Sequence, residues 1–137
     1  MSYKILGKYL SDLNRDFIKH SETKLLEYGI TLNMWRCMML IDNNKNCNLK
    51  DIARLLNVDG AIVTRNIKKL EVLNYVTKIK RNDDNRFFSL CLTEEGLSIL
   101  RSINKYQDNW YDKVMNGFKE EECEELIGLL KKLCDNI

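Results

Sequence analysis

The chain has 137 residues, 45% of them apolar, with 22 basic against 20 acidic side chains and no proline; that length suits one domain with a real core and excludes a disordered or low-complexity polymer. Its apolar runs, such as "MML" at 38–40 and "LIGLL" at 126–130, fall far short of the roughly 20 residues a bilayer helix needs, and the N-terminus lacks a signal-peptide apolar stretch, so a cytoplasmic protein with no membrane attachment is expected. Charge is uneven: residues 1–44 carry +1, residues 45–93 carry +5 and residues 94–137 carry −4, so the middle third is the part suited to a polyanion.

From Ile5 to Tyr28 the residues Leu6, Tyr9, Leu10, Leu13, Phe17 and Ile18 recur at helical spacing, and Gly29 stops a first helix of about 22 residues. Thr31 is placed to cap a second helix through "LNMWRCMMLID", which the polar loop "NNKN" ends. In "NLKDIARLLN" Asn48 is a cap and Asp51 stands where a capping box needs its acid. The break "NVDG" leads to "AIVTRNIKKLEVLNY", where Val63, Ile67, Leu70 and Leu73 form an inward stripe and Thr64, Arg65, Lys68 and Lys69 face outward. Two short helices about a tight turn make a helix-turn-helix.

The period then changes to two. "VTKIKR" and "RFFSLCLT" read as strands joined by the turn "NDDN", with Phe88, Leu90 and Leu92 on one face of the second. Phe88 is expected to anchor this ribbon inward and Arg86 to point outward. Thr93 caps a further helix through "EEGLSILRSINKYQDNWYDKVM", and after Gly117 a last helix, "EEECEELIGLLKKLC", aligns Cys123, Leu126, Ile127, Leu130 and Leu133. The expected fold is mainly α with a small β-wing: a winged helix-turn-helix with N- and C-terminal dimerisation helices.

That order of elements, with "VDGAIVTRNIKKLE" (58–71), Asp84-x-Arg86 and "LTEEG" (92–96), resembles the MarR family of winged-helix transcription regulators. The resemblance spans nearly the whole chain by element order and about 45 residues by motif. It implies one domain over 1–137, with residues 1–30 and 94–137 as dimerisation helices and 31–93 as the DNA-binding lobe. It also implies a homodimer on a pseudo-palindromic operator of double-stranded DNA. The stripes Leu6, Leu10, Leu13 and Phe17 with Leu126, Leu130 and Leu133 are the expected dimer contacts; intrachain core is the other explanation of the same pattern.

A recognition helix reads base edges in the major groove with residues near its N-terminus, here Gly60, Ala61, Ile62, Thr64, Arg65 and Lys68. Gly60 and Ala61 are small enough for close approach, Ile62 can meet a thymine methyl, and Arg65 suits guanine or phosphate. Turn geometry at Gly60 and core packing at Ile62 are the competing explanations. The family resemblance places the wing arginine, Arg86, in the minor groove, with Asp84 either positioning it or neutralising it, and Lys78, Lys80 and Arg81 are suited to phosphates.

A catalytic role has no support: the chain lacks a phosphate loop, a dinucleotide turn and any H-E-x-x-H, and its single histidine, His20, cannot complete a Ser-His-Asp set. No cofactor is expected, and one histidine with five unpaired cysteines is poor material for a metal site. Family members commonly release DNA to a small organic molecule, for which Trp35, Met38, Met39, Trp110 and Tyr111 are conceivable pocket walls, although core packing explains the same residues more cheaply. The alternatives are oxidation at a cysteine, with Cys37 beside Arg36 the candidate, and a winged helix that binds protein instead of DNA. His20 is read as a surface or interface residue.

Overall fold

A computed structural model describes residues 2–80 and 88–137. Among them are six α-helices and a two-stranded antiparallel sheet: α1 (Lys4–Glu27), α2 (Leu32–Asn43), α3 (Leu49–Leu56), α4 (Gly60–Val72), β1 (Val76–Lys80), β2 (Phe88–Leu92), α5 (Glu94–Val114) and α6 (Glu120–Cys134). The mainly α class with a small β-wing is as the sequence patterns require. The chain divides into two compact units, residues 1–107 and 108–137, and the division falls inside α5. No described helix is long and apolar enough to cross a membrane.

In the first unit each helix starts and stops where its local chemistry dictates. Gly29 takes φ +70 after α1, a backbone conformation that costs glycine little. The Thr31 hydroxyl accepts the Met34 N–H at 3.2 Å and opens α2. Asn48 and Asp51 exchange bonds at 2.9 and 3.0 Å, so the capping box holds α3, and Asn57 ends it in the left-handed region. The Asp59 carboxylate accepts the Ala61 N–H at 2.8 Å and starts α4. Thr93 accepts the Gly96 N–H at 2.9 Å and donates its own hydroxyl to the Asn74 carbonyl at 2.6 Å, which fastens the start of α5 to the end of α4.

The core of this unit gathers Leu25 and Ile30, Met34, Cys37, Met38 and Ile41 of α2, Ile52 of α3, and Leu100 and Ile103 of α5 around the inward stripe of α4. Val63, Ile67 and Leu70 are closed to solvent, and Leu73 is partly buried against them. A stripe at this spacing is what fixes the rotation of α4 about its axis, and so decides which side chains it shows outward.

In the ribbon, Val76 pairs with Leu92 and Lys80 with Phe88. One expectation fails here. Phe88 is 49% exposed and anchors nothing; Leu90, 3% exposed, holds the strand inward, and its N–H bonds the Cys47 carbonyl at 2.8 Å. The reason is position, since Phe88 begins β2 at the outer end of the ribbon while the core reaches only its inner half. His20, expected at a surface or interface, is half-buried: its Nε2–H donates to the Tyr106 carbonyl at 3.1 Å and its ring stacks on Tyr106, centroids 4.4 Å apart.

In the second unit, Trp110 and Tyr111 meet edge to face at 5.5 Å, Gly117 turns the chain with φ +85, and α6 follows. Three glutamates in its first turn and Lys131 and Lys132 in its last suit the helix dipole. No residue of α6 is buried.

Candidate nucleic-acid interface

The burial of Val63, Ile67 and Leu70 turns the opposite side of α4 to solvent. Gly60, Ala61, Ile62, Arg65 and Lys68 are exposed and Thr64 is half-exposed, so all six residues expected to face DNA share one accessible surface. Ile62 is therefore not core. Thr64 donates its hydroxyl to the Gly60 carbonyl at 2.9 Å, which engages its proton within the helix and leaves its oxygen lone pairs to face outward.

Gly60 is not needed for the turn. It is the first residue of α4, its φ is not positive, and a Cβ added there would meet nothing within 4 Å. The fold thus leaves a bare backbone with open space at the end of the helix that carries Arg65 and Lys68.

On the ribbon, Lys80 is exposed, while Lys78 lies 3.6 Å from the Glu71 carboxylate and so has a partner already. The expected wing-tip residues Arg81, Asp84 and Arg86 lie outside the described residues. Arg65, Lys68 and Lys69 form no ion pair among the described residues, so their charge is available to a polyanion.

The residues expected to line an effector pocket are placed differently from one another. In the first unit Met38 is fully buried in the core, Met39 is half-buried against it, and Trp35 tilts on Phe17 with centroids 6.4 Å apart and donates its indole N–H to Asn104 Oδ1 at 3.4 Å. In the second unit Trp110 is 8% exposed and Tyr111 48%. A separate apolar cleft of about 370 Å³ is lined by Gly29, Met34, Val72 and Leu73 with Lys68 and Lys69, residues that the sequence patterns did not bring together.

Cys37 is closed to solvent, and burial pushes its thiol up to about 11, outweighing a hydrogen bond from the backbone. The neighbouring Arg36 does not activate it. Among the described residues no cluster of His, Cys, Asp or Glu could hold a metal ion.

Comparison with known proteins agrees with this geometry. The model of the MarR family matches residues 30–87, which span α2 to the wing. The HTH-type transcriptional regulator BilQ of Clostridioides difficile (strain CD3) is 30% identical over 127 residues, 93% of this chain and 86% of BilQ. A MarR transcriptional regulator from Methanosarcina mazei Go1 superposes with a TM-score of 0.85 at 23% identity, over 97% of this chain and 96% of that one. A mutant MarR from E. coli, solved in complex with operator DNA, superposes with a TM-score of 0.78 at 20% identity over 95% of this chain and 94% of its own, a likeness of fold. An outward basic face on the second helix of a helix-turn-helix, a ribbon beside it and the match to BilQ lead to one conclusion: the chain belongs to the MarR family and is a transcriptional regulator with a DNA-binding winged helix, not an enzyme.

Proposed function

We propose that the protein is a homodimeric repressor that binds a pseudo-palindromic operator through Gly60, Ala61, Ile62, Thr64, Arg65 and Lys68 in the major groove and through the wing. The observation that carries this is the single accessible face of α4, on which these side chains stand while the opposite stripe is locked in the core. Arg65 is the reader of guanine or a holder of phosphate; Lys68 and Lys80 neutralise phosphates. Arg81 and Arg86, outside the described residues, are assigned to DNA with them, Arg86 to the minor groove.

Two copies are needed because one recognition helix covers only a half-site. Leu6, Leu10, Leu13, Leu126, Leu130 and Leu133 are each at least 36% exposed, and Phe17 is half-buried. Apolar stripes left this open support a partner surface made by a second copy.

Release by a small organic effector belongs to the same reading, with the half-buried Trp35 and Met39 of the first unit as its contacts. A raised thiol pKa at Cys37 argues against oxidation there as the trigger.

The test is a titration onto duplexes that the wild-type protein selects from a random pool, at several salt concentrations. Specific binding with a log–log salt slope of about −0.9 per phosphate neutralised is expected. Arg65→Ala should weaken it by roughly 1–3 kcal/mol and relax base choice at one position; Arg86→Ala should weaken binding to A·T-rich sites most. Absence of binding, or binding indifferent to salt, overturns the reading.

A further inference from the structure

Tyr75 is the residue at which three helices meet, and no motif marks it. It follows Asn74, which ends α4 in the left-handed region at φ 62, and precedes β1. Its N–H donates to the Leu70 carbonyl at 2.9 Å, which ties it to α4. Its carbonyl accepts the Thr93 N–H at 3.0 Å, and Gly96 of α5 lies so close that a Cβ there would stand 2.0 Å from the same oxygen. Its phenol crosses to the end of α1 and donates to the Tyr28 carbonyl at 3.0 Å. Tyr28 in turn is held to α5 by a 2.8 Å bond between its hydroxyl and that of Ser102.

α1 packs on α2, and α2 on α4, through largely apolar surfaces that tolerate small sliding. A hydrogen bond is directional, and the side chain that makes this one is 7% exposed, so water does not readily replace it. The Tyr28 carbonyl belongs to the last turn of α1, where the helix offers it no partner of its own.

We propose that Tyr75 is a positioning residue for DNA recognition: its hydroxyl, bonded to the end of α1, sets the angle between α1 and the recognition helix, and so fixes the spacing at which two recognition helices reach two half-sites. This rests on the dimeric, DNA-binding reading above. Tyr75 touches no base; it acts by holding α4 against the helix that carries the proposed dimer contacts. Tyr75→Phe keeps the packed ring and removes only the directional bond.

The experiment uses the full chain and a duplex selected from a random pool by the wild-type protein, together with a single half-site and versions of the duplex with one base pair added or removed between half-sites. For Tyr75→Phe, affinity for the two-half-site duplex should fall about fivefold to tenfold, the worth of one hydrogen bond, with single half-site affinity unchanged within about twofold. The variant should also discriminate less between the correct spacing and the altered ones. Ser102→Ala, which leaves the phenol in place but frees the Tyr28 ring, should move the spacing profile in the same direction by a smaller amount, and it serves as the test if Tyr75→Phe does not fold. A spacing profile identical to wild type in the folded variant, or an equal loss on one and two half-sites, overturns the proposal while the DNA-binding reading stands. Wild-type protein that binds one and two half-sites equally overturns the dimeric reading, and this proposal with it.

Discussion

A methyl group placed on Gly96 would lie 2.0 Å from the Tyr75 carbonyl oxygen, whereas one placed on Gly60 meets nothing within 4 Å. The contact at Gly96 is with backbone, which cannot swing aside. Gly96→Ala should therefore destabilise the fold by about 3 kcal/mol in urea unfolding. Gly60→Ala should leave stability unchanged or raise it by up to about 1 kcal/mol, since alanine is the better helix former. The same substitution should weaken specific DNA binding, because the methyl fills the space a phosphate or base edge would take; equal affinity by fluorescence anisotropy would count against close approach there. Cys37 gives a second residue-level expectation. With its thiol pushed up to about 11 in the fold and titrating near its ordinary 9.0 when unfolded, it is protonated in both states below pH 9 and carries no penalty there. Between about pH 9 and 11 the unfolded chain loses its proton first, so stability falls, by on the order of 2–3 kcal/mol in all. Cys37→Ala should flatten that part of the pH profile in denaturant melts, and an unchanged slope would contradict the burial argument. Cys47 and Tyr75, also raised by burial, remain in both proteins and cancel in the comparison.

At the level of elements, α3 is only eight residues long, too short to persist on propensity alone, and depends on its capping box. Asn48→Ala should cost about 1 kcal/mol in thermal or urea melts, because the Asp51 backbone N–H loses the Asn48 side-chain oxygen that accepts it. Those caps, the stripes of α4 and the change of period at the ribbon were legible in the sequence because each depends on neighbours within a turn or two. What was not legible depends on contacts far along the chain. Alternation says that Phe88 and Leu90 share a face, but only packing says how far along that face the core extends. His20 meets Tyr106 across 86 positions, and nothing near either residue announces the other. Tyr75 carries no local signal for the same reason: its partners are Tyr28 and Thr93, and its neighbours in sequence read as an ordinary helix-to-strand junction. The exposed side of α4 is legible for the opposite reason, since the buried stripe of a helix names its exposed side without any partner being known.

For the whole molecule, charge and apolar surface are partitioned as the proposed assembly needs, with the basic excess in residues 45–93 and the acidic excess in residues 94–137. Leu10→Asp and Leu130→Asp alter side chains that are 45% and 38% exposed, so neither should disturb the fold of a single copy. Both should halve the mass measured by sedimentation equilibrium and abolish the advantage of two half-sites over one; a variant that stays at twice the chain mass would place the contact elsewhere. Along α6 only Cys123 is even partly buried. A 15-residue helix that fully buries none of its own side chains has little to hold it beyond capping and charge placement, and its amides should open readily in an isolated chain. If a second copy supplies the missing burial, persistence of this helix becomes a function of protein concentration. Hydrogen exchange in residues 120–134 should then slow as the protein is concentrated while exchange in the α4 core stays constant. The regulator would be assembled for DNA only above a threshold of its own abundance, so that its expression level acts as an input to the switch alongside any effector.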